Sequence, residues 1–211
     1  MARSAAQAAG KVVSLASRRS RNATEESILA AAREALAEEP YERLTIDGIA
    51  RRAFVSRTSV YFYFPNKRAV IDRLIQLAFS DMYQAATPYL EGDGDPRREL
   101  RLALGRTLAV VDRNAPVLLL AARLNGQEDG LPPEWAPYIL RLRNAAVRRI
   151  RGDQQRGIAP SDIPAGLSAH ALLTMVEALV VREIVRGSRT TTESARVLAE
   201  LWWRAVYSRP D

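Results

Sequence analysis

The sequence feature that most constrains the fold is a series of helix starts and stops between Thr45 and Pro65. Thr45 and Ser56 carry hydroxyls that accept hydrogen bonds from the free amides at a helix start, so each predicts an N-cap. Pro65 predicts the end of the second helix, because the residue before a proline disfavours the helical conformation. The spacing therefore predicts two short helices joined by a tight turn, which is a helix-turn-helix.

Helical periodicity continues on both sides of this pair. Before it, a helix is predicted to start at Thr24, where two glutamates follow a capping hydroxyl, and to stop at Pro40. After it, Asn66 caps a fourth helix that begins at Lys67 and runs to about Pro88. Further helices are predicted at Arg97 to Arg113, Val117 to Leu124, Pro133 to about Arg156, Ala165 to Arg186 and Thr192 to Tyr207. No strand or repeat is evident, so the chain is predicted to be all-α.

Composition excludes several kinds of chemistry. The chain of 211 residues has no cysteine and one histidine, His170. Thiolate nucleophiles, disulfides and the usual cysteine or histidine zinc sites are therefore excluded. No glycine-rich phosphate loop or aspartate-rich metal motif is evident. We expect no enzyme activity and no cofactor or metal, although an all-helical small-molecule-binding enzyme remains an alternative, because catalytic constellations can be dispersed along a sequence.

The positive charge is concentrated near the N-terminus. The net charge is +7, and residues 1–22 contain five basic residues and no acid. Such an excess favours an anionic partner. We interpret residues 1–22 as a flexible basic arm, which leaves open a solvated tail, DNA contact through Arg18, Arg19 and Arg21, or an organelle transit peptide. The apolar stretches are too short to span a bilayer, so we expect a cytoplasmic protein without a membrane partner.

The second short helix separates into faces of different chemistry. At 100° per residue, Val60 and Phe64 share a face that is predicted to be buried. Arg57, Thr58 and Tyr61 share another face, where they offer a guanidinium, a hydroxyl with a methyl, and a phenol. These groups suit base edges in the major groove, which the N-terminal end of such a helix enters.

Hydroxyl and cationic groups nearby suit phosphate oxygens. Ser59 and Tyr63 lie on a third face of the same helix, and Ser56 stands at its start. Lys67 and Thr45 stand at the starts of two other helices, where free amides also attract anions. A sequence-neutral DNA-binding protein would need such phosphate contacts but not the base-suited face, and it stays an alternative.

These residues resemble the TetR family of bacterial one-component transcriptional regulators. The matching positions are Thr45, Ile49-Ala50, Ala53, Val55-Ser56, Tyr61, Tyr63-Phe64-Pro65 and Lys67, followed by a helical tail of matching length. The resemblance implies a homodimer whose first three helices bind a palindromic operator in double-stranded DNA, and a C-terminal domain whose ligand releases the DNA. It implies a DNA-binding domain at residues 23–66 and a ligand-binding and dimerisation domain at residues 67–211.

Two residues depart from the family pattern. Phe54 stands where the family usually has glycine, at a turn position that can require a positive φ. Either the turn differs in this chain or Phe54 packs usefully. Gly48 lies inside the first of the two short helices, after Thr45, where it costs up to about 1 kcal/mol relative to alanine.

The C-terminal sequence predicts a subunit interface and an apolar ligand site. The stretch from Ala171 to Val181 is apolar on almost all sides, so it needs burial on two faces. With Val197, Leu198, Leu201 and Trp202 it predicts a four-helix bundle across a two-fold axis, the alternative being an internal helix. The ligand site is predicted from a stripe on one helix and from aromatic and flexible partners on others, although each of these residues is also explained as plain core, which is the default for such stripes. These residues are Leu100, Leu104, Leu108, Val111, Trp135, Tyr138, Ile139, Leu142, Met175, Val176, Glu177, Leu179 and Trp202.

Overall fold

The computed structural model describes residues 22–124, 136–185 and 192–208, and every regular element in these ranges is an α-helix. The all-α prediction is thus confirmed. In chain order the helices are α1 (22–38), α2 (Ile46–Arg52), α3 (Arg57–Tyr63), α4 (Lys67–Glu91), α5 (Pro96–Arg113), α6 (Ala115–Leu124), α7 (Ala136–Gln155), α8 (Ala165–Val185) and α9 (Thr192–Tyr207). Residues 1–21 of the predicted basic arm lie outside the described residues.

The chain divides into two compact units after Leu74, eight residues beyond the predicted end of the first domain. The first turns of α4 belong to the N-terminal unit because specific contacts hold them there. Lys67 donates hydrogen bonds to the carbonyls of Tyr41 and Leu44, and Arg73 forms an ion pair with Glu25 of α1 at 3.1 Å. A helix start that is joined to the preceding helices in this way folds with them.

Capping residues set the two short helices of the N-terminal unit. The Thr45 hydroxyl accepts from the amide of Gly48 at 3.0 Å, and the Ser56 hydroxyl accepts from the amide of Ser59 at 3.0 Å. Each bond satisfies one amide that a helix start leaves free. Both predicted N-caps are therefore confirmed, and Gly48 is now seen to donate to a cap.

The C-terminal unit has one apolar core that α4, α5, α7, α8 and α9 share. Helix α5 packs on α9, and α7 packs on α8. Leu198, Trp202 and Val206 of α9 recur at i, i+4 and i+8 and are all buried in this core. Among the described helices, none contains an apolar stretch long enough to cross a membrane.

A buried polar network crosses this core. The carboxylate of Asp153 is fully buried and accepts hydrogen bonds from Arg149 Nε at 2.8 Å, Tyr207 at 2.6 Å and Arg156 at 2.5 Å. Tyr207 also shares a hydrogen bond with Tyr89, whose hydroxyl accepts from the indole of Trp202 at 3.1 Å. Residues of α4, α7 and α9 are thereby linked, because buried polar groups must find partners within the protein.

Titration of this network follows from its burial and its hydrogen bonds. Burial alone would raise the pKa of Asp153, but the hydrogen bonds from Tyr207, Arg156 and Arg149 outweigh it and hold the pKa below its ordinary value. The carboxylate therefore stabilises the fold above its unfolded pKa of about 3.9, and this stabilisation is lost as the pH falls through the lower folded pKa. Burial raises the pKa of Tyr89 to about 12, so its hydroxyl stays protonated at neutral pH.

The first prediction concerns the stability of the C-terminal unit. Asp153→Asn removes the charge that compensates the buried Arg149, so we expect the free energy of unfolding to fall by about 3 kcal/mol. Chemical denaturation at pH 7 measures the change. Glu193→Gln, which disrupts an exposed ion pair with Arg196, should leave the denaturation midpoint nearly unchanged. Equal midpoints for Asp153→Asn and the wild type would contradict the role given to the network.

Candidate nucleic-acid interface and effector-domain core

The exposed face of α3 carries the residues that were predicted to suit base edges. Arg57, Thr58 and Tyr61 are all exposed. Arg57 donates to the Tyr61 hydroxyl at 3.3 Å, and its guanidinium lies 5.5 Å from the centre of that ring. Its other Nη lies 3.3 Å from a carboxylate oxygen of Asp47. The hydrogen bond to Tyr61 and the charge of Asp47 raise the pKa of Arg57, so the guanidinium is charged and oriented before any ligand arrives.

The capping hydroxyls keep donors that a phosphate could use. A hydroxyl has one donor and two acceptor sites, so Thr45 still has its O–H after accepting from the Gly48 amide. Ser56 and Ser59 lie 2.8 Å apart, oxygen to oxygen, and one of these two hydroxyls donates to the other. The second of the pair therefore keeps a free O–H at the start of α3.

Lys67 is mostly engaged within the N-terminal unit. Its ammonium lies 3.1 Å from the carbonyl oxygen of Tyr41, 3.2 Å from that of Leu44 and 4.3 Å from the centre of the Tyr41 ring. An ammonium has three donors, so one remains after these two hydrogen bonds. At the same helix start, Asn66 accepts from the amide of Ala69 at 2.9 Å, which confirms it as the cap of α4.

Phe62 is a further surface residue of α3 that was not among the predicted site residues. Its side chain is 72% exposed, and its ring meets that of Tyr63 edge to face at 5.1 Å. Phe62 follows Thr58 by four residues, so the helical period alone places both on one side. An exposed phenyl ring on this face suits the methyl group of thymine.

The structure shows both the turn that Phe54 adopts between α2 and α3 and the surroundings of its side chain. Its φ is +55°, so the turn keeps the left-handed geometry that glycine usually provides. A different turn is therefore excluded. The side chain is 96% exposed and packs against no other ring among the described residues.

Most residues that were predicted to line a ligand site come together in the C-terminal unit. Leu100, Leu104, Leu108 and Trp202 are buried in the shared core, and Leu142, Met175, Val176 and Leu179 pack against it while half-buried. The structure therefore gathers residues of α5, α7, α8 and α9 into one apolar region.

Four residues of the predicted set are described by the structure but are not part of that core. Val111 is buried elsewhere, Ile139 is half-buried, and Tyr138 stacks on Phe79 with ring centres 5.8 Å apart. Glu177 lies on the exposed face of α8, where partial burial raises its pKa. Trp135 lies outside the described residues.

A surface groove of about 270 Å³ lies at another place in the C-terminal unit. It is lined by residues from the end of α7, the following loop, the start of α8 and the end of α9, among them Ile150, Gln154, Ile163, Ser168 and Val206. None of the residues predicted to bind a ligand lines this groove.

The last helix corrects the predicted subunit interface. Leu198 and Trp202, expected at the interface, are buried in the core of their own unit because they occupy the inward stripe of α9. Val197 and Leu201, one position earlier in each turn, are 41% and 46% exposed. Leu167 of α8 is also exposed. Apolar side chains on both helices thus remain available to a partner.

Comparison with known proteins adds independent evidence. Residues 28–74 match the family described as "Bacterial regulatory proteins, tetR family". The chain is 25% identical over 186 residues to the HTH-type transcriptional regulator EthR of Mycobacterium tuberculosis, covering 86% of each chain. It is 27% identical over 193 residues to EthR of Mycolicibacterium smegmatis, covering 87% of this chain and 86% of the relative.

The fold has a solved counterpart as well. The complex of SmeT with triclosan, SmeT being the repressor of a multidrug efflux pump of Stenotrophomonas maltophilia, superposes with a TM-score of 0.73 at 19% identity. The match covers 88% of this chain and 92% of that one. The relatives in sequence are named as transcriptional regulators. Residues 28–74 therefore form a domain of the tetR family of bacterial regulatory proteins, and the chain is similar to the regulator EthR over 86% of its length.

Proposed function

We propose that this regulator represses transcription in the cytoplasm by binding a palindromic operator as a homodimer, and that an apolar small molecule releases it. The observation that carries the proposal is the exposed face of α3, where a charged Arg57 is held against Tyr61 at the start of a capped helix. Such a helix enters the major groove with its N-terminal residues at the base edges.

The base edges are contacted by Arg57, Thr58 and Tyr61, and Phe62 lies on the same side of α3. A guanidinium is suited to the two acceptors of guanine, and the threonine and phenyl groups are suited to a thymine methyl. The bond between Arg57 and Tyr61 restricts the guanidinium before binding, which lowers the entropy that binding must remove.

The DNA phosphates are bound by the start of α4 and by the hydroxyls of Thr45, Ser56, Ser59 and Tyr63. The free O–H groups at the two helix starts donate to phosphate oxygens, and the helix dipoles favour that negative charge. Lys67 contributes its remaining donor, while its two carbonyl bonds fix where the start of α4 lies.

The homodimer is supported by the outward apolar residues of the last two helices. Leu167, Val197 and Leu201 are exposed in a single chain although they are large and apolar. Exposed apolar residues on the last two helices suit a four-helix bundle with a second copy about a two-fold axis.

The effector is proposed to be apolar because the residues gathered from α5, α7, α8 and α9 are apolar. SmeT, a structure of the same fold, is solved with triclosan. Helix α4 runs without interruption from Lys67 to Glu91 across the division between the units. A ligand that displaces its C-terminal part would therefore also displace its start, and two half-sites about 34 Å apart would no longer be engaged together.

The second prediction tests operator binding directly. Selection from a library of random duplex DNA with the purified protein should enrich one inverted repeat, because a symmetric dimer presents two identical reading helices. Fluorescence anisotropy should then give a nanomolar Kd at physiological salt that scrambled duplex does not compete away. Enrichment of no common sequence, with steeply salt-dependent binding to every duplex, would support the sequence-neutral alternative.

The third prediction concerns base reading by α3. Arg57→Ala should reduce discrimination between the selected repeat and scrambled DNA by about five- to 150-fold, since one bidentate base contact contributes about 1–3 kcal/mol. Anisotropy titrations on both duplexes measure the ratio. Arg101→Ala removes an equal charge from the exposed side of α5 and should leave the ratio unchanged. Equal ratios for Arg57→Ala and the wild type would remove Arg57 from the reading face.

The fourth prediction concerns the subunit interface. Leu201→Glu places a charge on the outward stripe of α9, so dimers should dissociate at micromolar concentration while the helical content of the chain is kept. Sedimentation velocity measures the mass, and circular dichroism measures the helix content. Gln155→Glu, an exposed acidic substitution on α7, is the matched control and should stay dimeric. A dimeric Leu201→Glu variant would place the interface elsewhere.

A further inference from the structure

Phe54 occupies a backbone position that the local structure reserves for glycine. The amide of Val55 donates to the carbonyl of Ala50 at 3.0 Å, and the amide of Phe54 donates to that of Arg51 at 3.3 Å. These two bonds form a Schellman motif, in which the residue after the C-cap Ala53 takes a positive φ and is usually glycine. Phe54 takes that φ, at +55°. A positive φ is rare for a residue as bulky as phenylalanine.

The side chain of Phe54 does not stabilise the fold that strains its backbone. Its side chain is 96% exposed, and no aromatic or cation–π contact is formed by it among the described residues. Glycine would close the same turn without strain. An observed strained residue whose side chain stabilises nothing in the free protein points to a partner that uses the side chain.

The surroundings of Phe54 point to a polyanion. The sequence from Gly48 to Ile71 contains five basic residues and no acid. Arg51, three residues before Phe54, is exposed and has no ion pair within the described part of the chain. A phenyl ring among exposed arginines is a composition that nucleic acid matches, because phosphates pair with the cations and the apolar faces of sugars pack on the ring.

The distance along the chain places Phe54 beside the groove that α3 is proposed to read. Phe54 precedes Ser56, the cap of α3, by two residues, so their Cα atoms are at most about 7 Å apart. The start of a reading helix lies at the groove, between the two sugar-phosphate strands. The ring therefore reaches the strand at the groove edge rather than the base pairs.

We infer that Phe54 is a DNA-contacting residue whose ring packs on a deoxyribose at the edge of the groove, with the guanidinium of Arg51 on the adjacent phosphate. The inference rests on the proposed function and adds a contact outside the reading face of α3. Because sugar and phosphate carry no base identity, this contact adds affinity without adding sequence discrimination.

The experiment, which gives the fifth prediction, compares Phe54→Gly, Phe54→Asn and Phe54→Tyr with the wild type. Phe54→Gly and Phe54→Asn accept a positive φ and lack the ring, so their Tm should rise while their Kd for DNA weakens fivefold or more. The loss should be equal on the selected repeat and on scrambled duplex, unlike the loss in Arg57→Ala. Phe54→Tyr keeps both the ring and the strain, and it should keep the wild-type Kd.

The outcomes separate this inference from the proposed function. A wild type without competitor-resistant binding would overturn the proposed function itself. If the wild type binds its repeat specifically and Phe54→Gly has the same Kd, the ring does not contact DNA. If Phe54→Gly instead changes only the number of protein copies per duplex, measured by sedimentation of the complex, the ring contacts a second copy and the inference is wrong.

Discussion

The orientation of α3 in the N-terminal unit depends on burying Val60 and Phe64. A helix of seven residues is too short to be stable alone, so it exists only while one of its faces is packed. Burying these two side chains leaves the other faces of the helix outward, where Arg57, Thr58 and Tyr61 are exposed. The caps at Ser56 and at the α2–α3 turn then determine where the helix starts and how it leaves α2. The exposed surface of α3, which we propose to contact DNA, is thus a consequence of how this helix packs in the N-terminal unit.

In the C-terminal unit, helix α9 carries two adjacent apolar stripes, one buried in the core and one exposed. Leu198 and Trp202 face the core, and Val197 and Leu201 face outward. The network around Asp153 joins α4, α7 and α9 through hydrogen bonds, which permit a smaller range of distances and angles than apolar contacts do. The exposed residues of α9 can therefore vary without loosening the core.

The α2–α3 turn combines a strained backbone with an exposed aromatic side chain. The Schellman bonds require a left-handed residue there, and most side chains would be selected against at that position. A phenylalanine that accepts this conformation and leaves its ring in solvent lowers the stability of the free protein. At this turn, local propensity and the observed residue disagree, and such disagreements are expected at functional sites.

The sequence by itself determined the helical fold class, the caps at Thr45, Ser56 and Asn66, most helix ends to within a few residues, and the resemblance of its helix-turn-helix to the TetR family. These features are local: a capping hydroxyl, a proline or a helical period acts over a few residues and is readable there. Only the tertiary structure decided which face of each helix is covered, because that depends on elements distant in sequence. It placed Leu198 and Trp202 in the core, left Phe62 and Glu177 exposed, and directed Lys67 to the carbonyls of Tyr41 and Leu44. Periodicity shows that a helix has an apolar face, but the neighbour that covers it is a property of the folded chain.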